Sequence, residues 1–320
     1  MATTALVLLG ALVLAVPANA QEAPFRQNDF GGFRNILPPG QAGHLSAPAL
    51  AQYLANGTRP RNSSDQLRMY QDLVYSTPGL QASQIGRFFK DASFGVRPGD
   101  VTRRYKPRQD VTILRDRQFG VPHIYGTTRA GAMYGLGYAG AEDRLFFMDV
   151  LRNAGAGRLS SFAGGAAGNR EMDRDSWDAA PYKPEEYQRQ IDVADEVLGA
   201  LGRKLQKDAR SYVAGINSYI ADARSNPSLM PAEYAAINRP GGPKDWKTGD
   251  LVATAALIAG IFGKGGGNEL ASAQLLQQAR TRFGRRGGTK VWRDLRTAEE
   301  PTAPTTVFRD RVFRYQRPPK

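Results

Sequence analysis

The spacing of apolar positions changes several times along the chain, and each change marks a predicted element. An apolar run from Ala5 to Val16 opens it, followed by Pro17-Ala18-Asn19-Ala20. Residues 21 to 43 are rich in Gly, Pro and Asn and predict irregular structure. Three short helices follow. Ser46 with Pro48 starts one that stops at Gly57, Ser63 or Ser64 caps another that ends before Thr77-Pro78-Gly79, and Ser83 caps a third running toward Phe88-Phe89. Residues 21–109 therefore predict a mostly helical N-terminal extension. At Asp110 the pattern becomes β-prone: Val111 to Leu114, a turn at Phe119-Gly120 and Val121 to Tyr125 predict a hairpin.

Helical spacing then returns. Thr127 or Thr128 caps a helix from Arg129 to about Asn153, in which Gly135, Gly137 and Gly140 allow close packing or a bend. Leu145, Phe146, Met148, Val150 and Leu151 make its second half apolar all round, which predicts burial. Glycines between 155 and 168 predict a loop region, and Pro184-Glu185-Glu186 starts the next helix. The clearest stripe follows, with Leu205, Ala209, Tyr212, Val213, Ile216, Tyr219 and Ile220 recurring at three and four. Thr248 caps Leu251 to Phe262, and Asn268 caps a helix that stops at Gly284. From Pro301 the chain predicts an extended linker with one strand at Val307 to Tyr315.

Composition narrows the function classes. The 320 residues contain 41% hydrophobic and 23% charged side chains, the balance of a globular chain with a real core. Ala18 and Ala20 behind a short apolar run fit a signal peptide of residues 1–20 cleaved before Gln21, although no Lys or Arg precedes the run. A secreted or periplasmic protein is expected, with no membrane span after cleavage, since no later apolar run approaches the ~20 residues a bilayer needs. Cysteine is absent, which excludes disulfides, thiol catalysis and thiolate metal sites. The net charge of +13 is concentrated: Arg280 to Lys320 carries +8, leaving +5 for the first 279 residues. That distribution does not describe a basic face spread over a fold, and no nucleic-acid partner is expected.

Few residues are suited to chemistry. Only two histidines occur; His123 in the second strand predicts a hydrogen-bonded structural role, and His44 a solvated one. No histidine pair has metal-ligand spacing. Asp143-Arg144 reads as an ion pair within the packed helix, and Arg115-Asp116 has the same structural reading. Gly263-Lys264-Gly265-Gly266-Gly267-Asn268 lacks the order of a phosphate-binding loop.

Taken in order, several motifs resemble one family. Val111 to Asp116, Phe119-Gly120-Val121-Pro122-His123-Ile124, Gly137-Tyr138-Ala139, Glu142-Asp143-Arg144-Leu145, Met148-Asp149, Leu151-Arg152 and Gly157-Arg158-Leu159 are similar to the N-terminal signature of penicillin acylases. Gly215 to Ile220, Pro231-Ala232-Glu233-Tyr234, Trp246 with Asp250, and Ala303-Pro304-Thr305-Thr306 extend the resemblance to residues 110–307. It implies the α-chain part of an αββα N-terminal-nucleophile hydrolase: a mostly α body with some β, to which the strands near 111 and 121 bring the sheet contribution. Such enzymes cleave acyl amides, of penicillin or acyl homoserine lactone type. They do so after a precursor is cut into an α chain, a spacer and a β chain whose first residue is the catalytic Ser, activated by its own α-amino group.

By the same resemblance no catalytic residue is expected on this chain, because no Ser with the required Gly-Ser-Asn context follows Thr306. Residues 308–320 correspond to a basic spacer or a truncated linker, and the β chain of the same precursor is the expected partner. Phe262 is the implied counterpart of the acyl-pocket aromatic, and Glu269 of the α-part ligand to a calcium ion shared with the β chain. An organic cofactor is not implied. The physical alternative for Glu269 is a first-turn acid favoured by the helix dipole. Two other readings stay open for the chain by itself: an exported binding protein derived from an acylase remnant, and a polyanion binder acting through Arg309 to Lys320.

Overall fold

A computed structural model describes residues 34–35, 46–59, 67–76, 80–88, 90–91, 95–117, 119–263 and 269–297. The expected signal peptide, His44, the Ser63/Ser64 and Asn268 caps, the linker and its strand, and the basic tail lie outside the described residues. The chain divides into two compact units, residues 1–261 and 262–320.

In the first unit, α1 (Ala47–Asn56) begins where Ser46 Oγ accepts from the Ala49 amide, and it ends at Gly57, whose φ of 73° suits a residue without Cβ. α2 (Leu67–Ser76) and a 3₁₀ turn (Ala82–Phe88) follow. The next strand lies within residues 21–109, where the apolar spacing marks no strand. β1 (Val101–Arg108) pairs antiparallel with β2 (Val111–Asp116), which pairs antiparallel with β3 (Pro122–Gly126). The β2–β3 hairpin is the one the sequence predicts, in the register Ile113↔Ile124 and Leu114↔His123. β2 is the central strand and buries Val111, Ile113 and Leu114. Asp116 Oδ1 closes the intervening turn by accepting from the amides of Phe119 and Gly120 at 2.7 and 3.1 Å.

Thr128 caps α3 (Arg129–Gly155) by accepting from the Gly131 amide. Its backbone departs from helical geometry at Arg144 (φ −148°, ψ 28°), so the bend falls beyond the glycines rather than at them. Those glycines set the packing distance instead. A Cβ on Gly137 would lie 2.0 Å from the Tyr212 carbonyl oxygen, and one on Gly215 would lie 2.0 Å from that of Tyr134. Tyr212 and Gly215 belong to α8 (Ala200–Ser225), the helix with the clear apolar stripe, which crosses α3 almost backbone to backbone. Leu145, Ile216, Tyr219, Ile220 and Tyr234 fill the shared core. Of the apolar second half of α3, Leu145 is fully buried, while Phe146, Met148, Val150 and Leu151 are half-buried.

The glycine-rich stretch after α3 is not all loop. It holds α4 (Leu159–Ala163) and α5 (Ala167–Ala179), a polar helix whose Asp173 accepts from the amides of Leu159 and Ser160 and so caps α4 from outside. α6 (Pro184–Asp192) starts at the predicted proline, and α7 (Ala194–Leu198) leads into α8. α9 (Glu233–Ala236) and α10 (Thr248–Gly263) complete the helices of this part of the chain. The described chain is thus mostly α with one three-stranded sheet, and no described helix is long and apolar enough to cross a membrane.

In the second unit, α11 (Glu269–Thr297) breaks at Gly284 (φ 71°, ψ 166°), the position predicted as its stop, and the chain turns back on itself there.

Candidate functional site

Two buried charge clusters hang on α3. In the first, Arg115 of β2 reaches between Glu142 and Asp143: one guanidinium nitrogen lies 2.5 Å from Glu142 Oε2, and another lies 2.7 Å from Asp143 Oδ2 and donates to the Gly120 carbonyl at 3.1 Å. The Tyr105 hydroxyl of β1 donates to Glu142 Oε2, and Arg103 pairs with Glu142 Oε1 at 2.7 Å. Asp143 is therefore paired across the strand–helix interface, which corrects the expected pairing with its neighbour Arg144. Adjacent residues on a helix do not face one another, and the helix bends at Arg144.

The two carboxylates respond differently to the same burial. Burial pushes Glu142 upward, but Arg115, the Tyr105 hydroxyl and Arg103 outweigh it and hold the carboxyl below its usual range. Asp143 has Arg115 as its main offset and one oxygen, Oδ1, buried without a hydrogen-bond partner; burial prevails and pushes it up to about 6. A folded-state value above the ordinary carboxylate value means that the folded chain holds this proton more tightly. The stability contributed by this group is full below the unfolded value near 3.8 and is lost as pH rises through about 6. Asp143→Asn should therefore gain stability over the parent as pH goes from 4 to 7, by about 2–3 kcal/mol at the upper end. Urea unfolding at both pH values checks this, and an unchanged difference would contradict it.

The second cluster ties α3 to α10. Asp149, 1% exposed, pairs with Arg152, which also reaches Asp250 at 3.0 Å, donates to the Lys244 carbonyl at 2.9 Å and lies over the Trp246 ring. The Tyr234 hydroxyl donates to Asp149 Oδ2 at 3.2 Å. All of these except Lys244 belong to the quoted motifs, and together they join α3 to the segments carrying Tyr234, Trp246 and Asp250. His123 Nε2 lies 3.4 Å from Asp116 Oδ2 beside the turn, the hydrogen-bonded placement its strand position suggests. Hydroxyls near these elements do similar work: Ser160 bonds Asp173, Thr248 bonds Gln188, and Thr128 caps α3.

Phe262 falls in the last turn of α10, with its side chain outside the described residues. Glu269 is the first residue of α11 and is exposed. Among the described residues no three His, Asp or Glu side chains are grouped to hold a metal ion. A calcium ion takes six to eight oxygen ligands, so these residues do not make a calcium site by themselves, and Glu269 can supply only part of one. Sequence reasoning missed Tyr105, whose one signal is its place in an alternating segment interrupted by basic residues and Pro107.

The buried charges of both clusters join α3 to β1, β2 and α10. The penicillin amidase family profile matches residues 110–301, well over half of the chain, and the chain belongs to that family of amide hydrolases. It is 26% identical over 204 residues to penicillin G acylase of Escherichia coli, an alignment covering 62% of this chain and 22% of the relative. It is 28% identical over 153 residues to an acyl-homoserine lactone acylase of Pseudomonas syringae, covering 47% of this chain and 16% of the relative. Among solved structures, a thermostable penicillin G acylase from Alcaligenes faecalis aligns with a TM-score of 0.43 and 29% identity, covering 63% of this chain and 98% of the solved one. The chain spans about a fifth of the length of the curated relatives it matches.

Proposed function

We propose that this chain is the α part of an exported acyl amide hydrolase and that the nucleophilic Ser comes from a β chain of the same precursor. The observation that carries the reading is the family match over residues 110–301, the segment that contains the second buried charge cluster and Arg115, Glu142 and Asp143 of the first. On this reading Arg115, Glu142, Asp143, Asp149 and Arg152 hold the scaffold, the chain alone does not hydrolyse amides, and residues 308–320 are spacer. The three-stranded sheet β1–β3 is this chain's contribution to an αββα sandwich completed by the β chain. Substrates are linear amides of the penicillin or acyl homoserine lactone type, the classes named in the relatives. A protein processed after Ala20 would begin at Gln21 outside the cytoplasm.

Two site residues follow from position in the matched segment: Phe262 as a wall of the acyl pocket and Glu269 as one calcium ligand, the others coming from the β chain. The test is to co-produce residues 21–320 with the β chain of a close relative and to compare variants in the assembled protein. Phe262→Ala should change the ratio of kcat/KM between short and long acyl chains by about tenfold or more, the scale of a pocket contact of one or two methylenes. Glu269→Ala should lose bound calcium and assembly. An unchanged acyl preference would remove Phe262 from the pocket. Retained calcium with only about 1 kcal/mol of lost stability would leave Glu269 as a helix-start acid.

A further inference from the structure

The bend of α11 carries a cluster of cations of which one, Arg280, donates from Nε to Thr289 Oγ1 at 3.0 Å across the bend. Its two arms lie against one another: a Cβ on Gly288 would sit 2.3 Å from the Ala279 carbonyl, and the Trp292 indole donates to the Ser272 carbonyl at 3.0 Å. Between residues 270 and 293 there are six Lys or Arg and no Asp or Glu. Four of the cations, Arg280, Arg282, Arg285 and Arg286, flank Gly284, and among the described ion pairs none involves them. Phe283, at the turning point, is 53% exposed, with the Arg282 guanidinium 5.5 Å from its ring centre. Beside it a shallow basin of about 340 Å³ is lined by Leu276, Gln277, Arg280, Thr281 and Arg285.

Four guanidinium groups at one bend repel each other and receive no acidic partner among the described residues, so an anionic surface is the complement that relieves them. The exposed ring narrows the choice. A nucleic acid duplex would satisfy the arginines and leave a lone Phe283 in water, whereas a phospholipid surface offers phosphates at the height of the guanidinium forks and acyl chains just beneath for the ring. We propose that the Arg282–Arg286 bend docks on anionic phospholipid. This surface is distinct from the tail at Arg309 to Lys320, and the proposal does not depend on the amide-hydrolase reading.

Sedimentation of the full chain with vesicles tests it, using phosphatidylcholine alone and phosphatidylcholine mixed with phosphatidylglycerol. Neutral vesicles report any charge-independent insertion, including that of the apolar run at Ala5 to Val16. The expected result is tighter binding to the anionic vesicles, weakened by added salt. At about fivefold per basic residue, Arg282→Ala/Arg285→Ala/Arg286→Ala should lose about 100-fold of that preference. Phe283→Ser should weaken binding to anionic vesicles without changing salt dependence, and deletion of residues 309–320 should leave most of the preference intact. The proposal is overturned by equal binding to both vesicle types, by a triple variant that binds like the parent, or by loss of the preference on tail deletion alone. Tighter binding to duplex DNA than to anionic vesicles, insensitive to Phe283→Ser, also overturns it. Far-UV circular dichroism of each variant identifies any that fail to fold, and for those the single Arg286→Ala variant, on the exposed side of the bend, substitutes.

Discussion

Arg115→Met should destabilise the chain by about 3–5 kcal/mol, because it leaves Glu142 and Asp143 buried side by side with their main cation removed. The arginine side chain is 8% exposed, and its guanidinium joins β2 to α3 while also satisfying the Gly120 carbonyl, so the loss reaches the strand, the turn and the helix together. The effect belongs to the unpaired acids rather than to the missing contact. Arg115→Met combined with Glu142→Gln and Asp143→Asn should therefore recover most of the loss, since no buried charge is then left without its partner. Urea denaturation of the single and triple variants measures both. A triple variant no more stable than the single one would show that packing of the arginine stem, and not charge, holds the interface.

Gly215→Ala should be nearly as damaging by a different route. The added methyl would stand 2.0 Å from the Tyr134 carbonyl oxygen, a backbone atom that cannot rotate aside, so α3 and α8 must separate along their whole crossing. Overpacking of this kind costs about 3 kcal/mol. Gly168→Ala in α5 is the matched control, since nothing lies within 4 Å of its Cβ position. It should stabilise the chain by up to about 1 kcal/mol through helix propensity. Equal effects at the two positions would mean that the helices can move apart freely, against the close crossing described above.

Much of the helical body was legible where the signal is local. The caps at Ser46, Gly57 and Thr128, the proline at 184 and the stripe from Leu205 to Ile220 each depend on neighbours within a turn or two, and all lie where they predict. β1 was not legible, because Arg103, Arg104, Lys106 and Pro107 break its apolar alternation. As an edge strand it needs only Tyr105 turned toward the core. α5 was missed for a related reason: it buries little besides Ser176 and is held through Asp173 capping α4, so it has no apolar stripe to read. The partner of Asp143 was misassigned because adjacency in sequence stood in for the register of β2 against α3, which only the folded chain sets. Phe262 and Glu269 rest on their place in a recognised segment, since neither residue type signals a pocket or an ion by itself.

On the proposed reading this chain supplies scaffold and pocket while another chain supplies the nucleophile. The most direct measurement is the rate of penicillin G hydrolysis by three preparations at equal concentration: residues 21–320 alone, a relative's β chain alone, and the two co-produced. Amide hydrolysis is expected only in the co-produced sample, and it should be lost when the β chain's N-terminal Ser is replaced by Ala. Hydrolysis by residues 21–320 alone would contradict the proposed reading, as would a co-produced complex that forms but stays inactive.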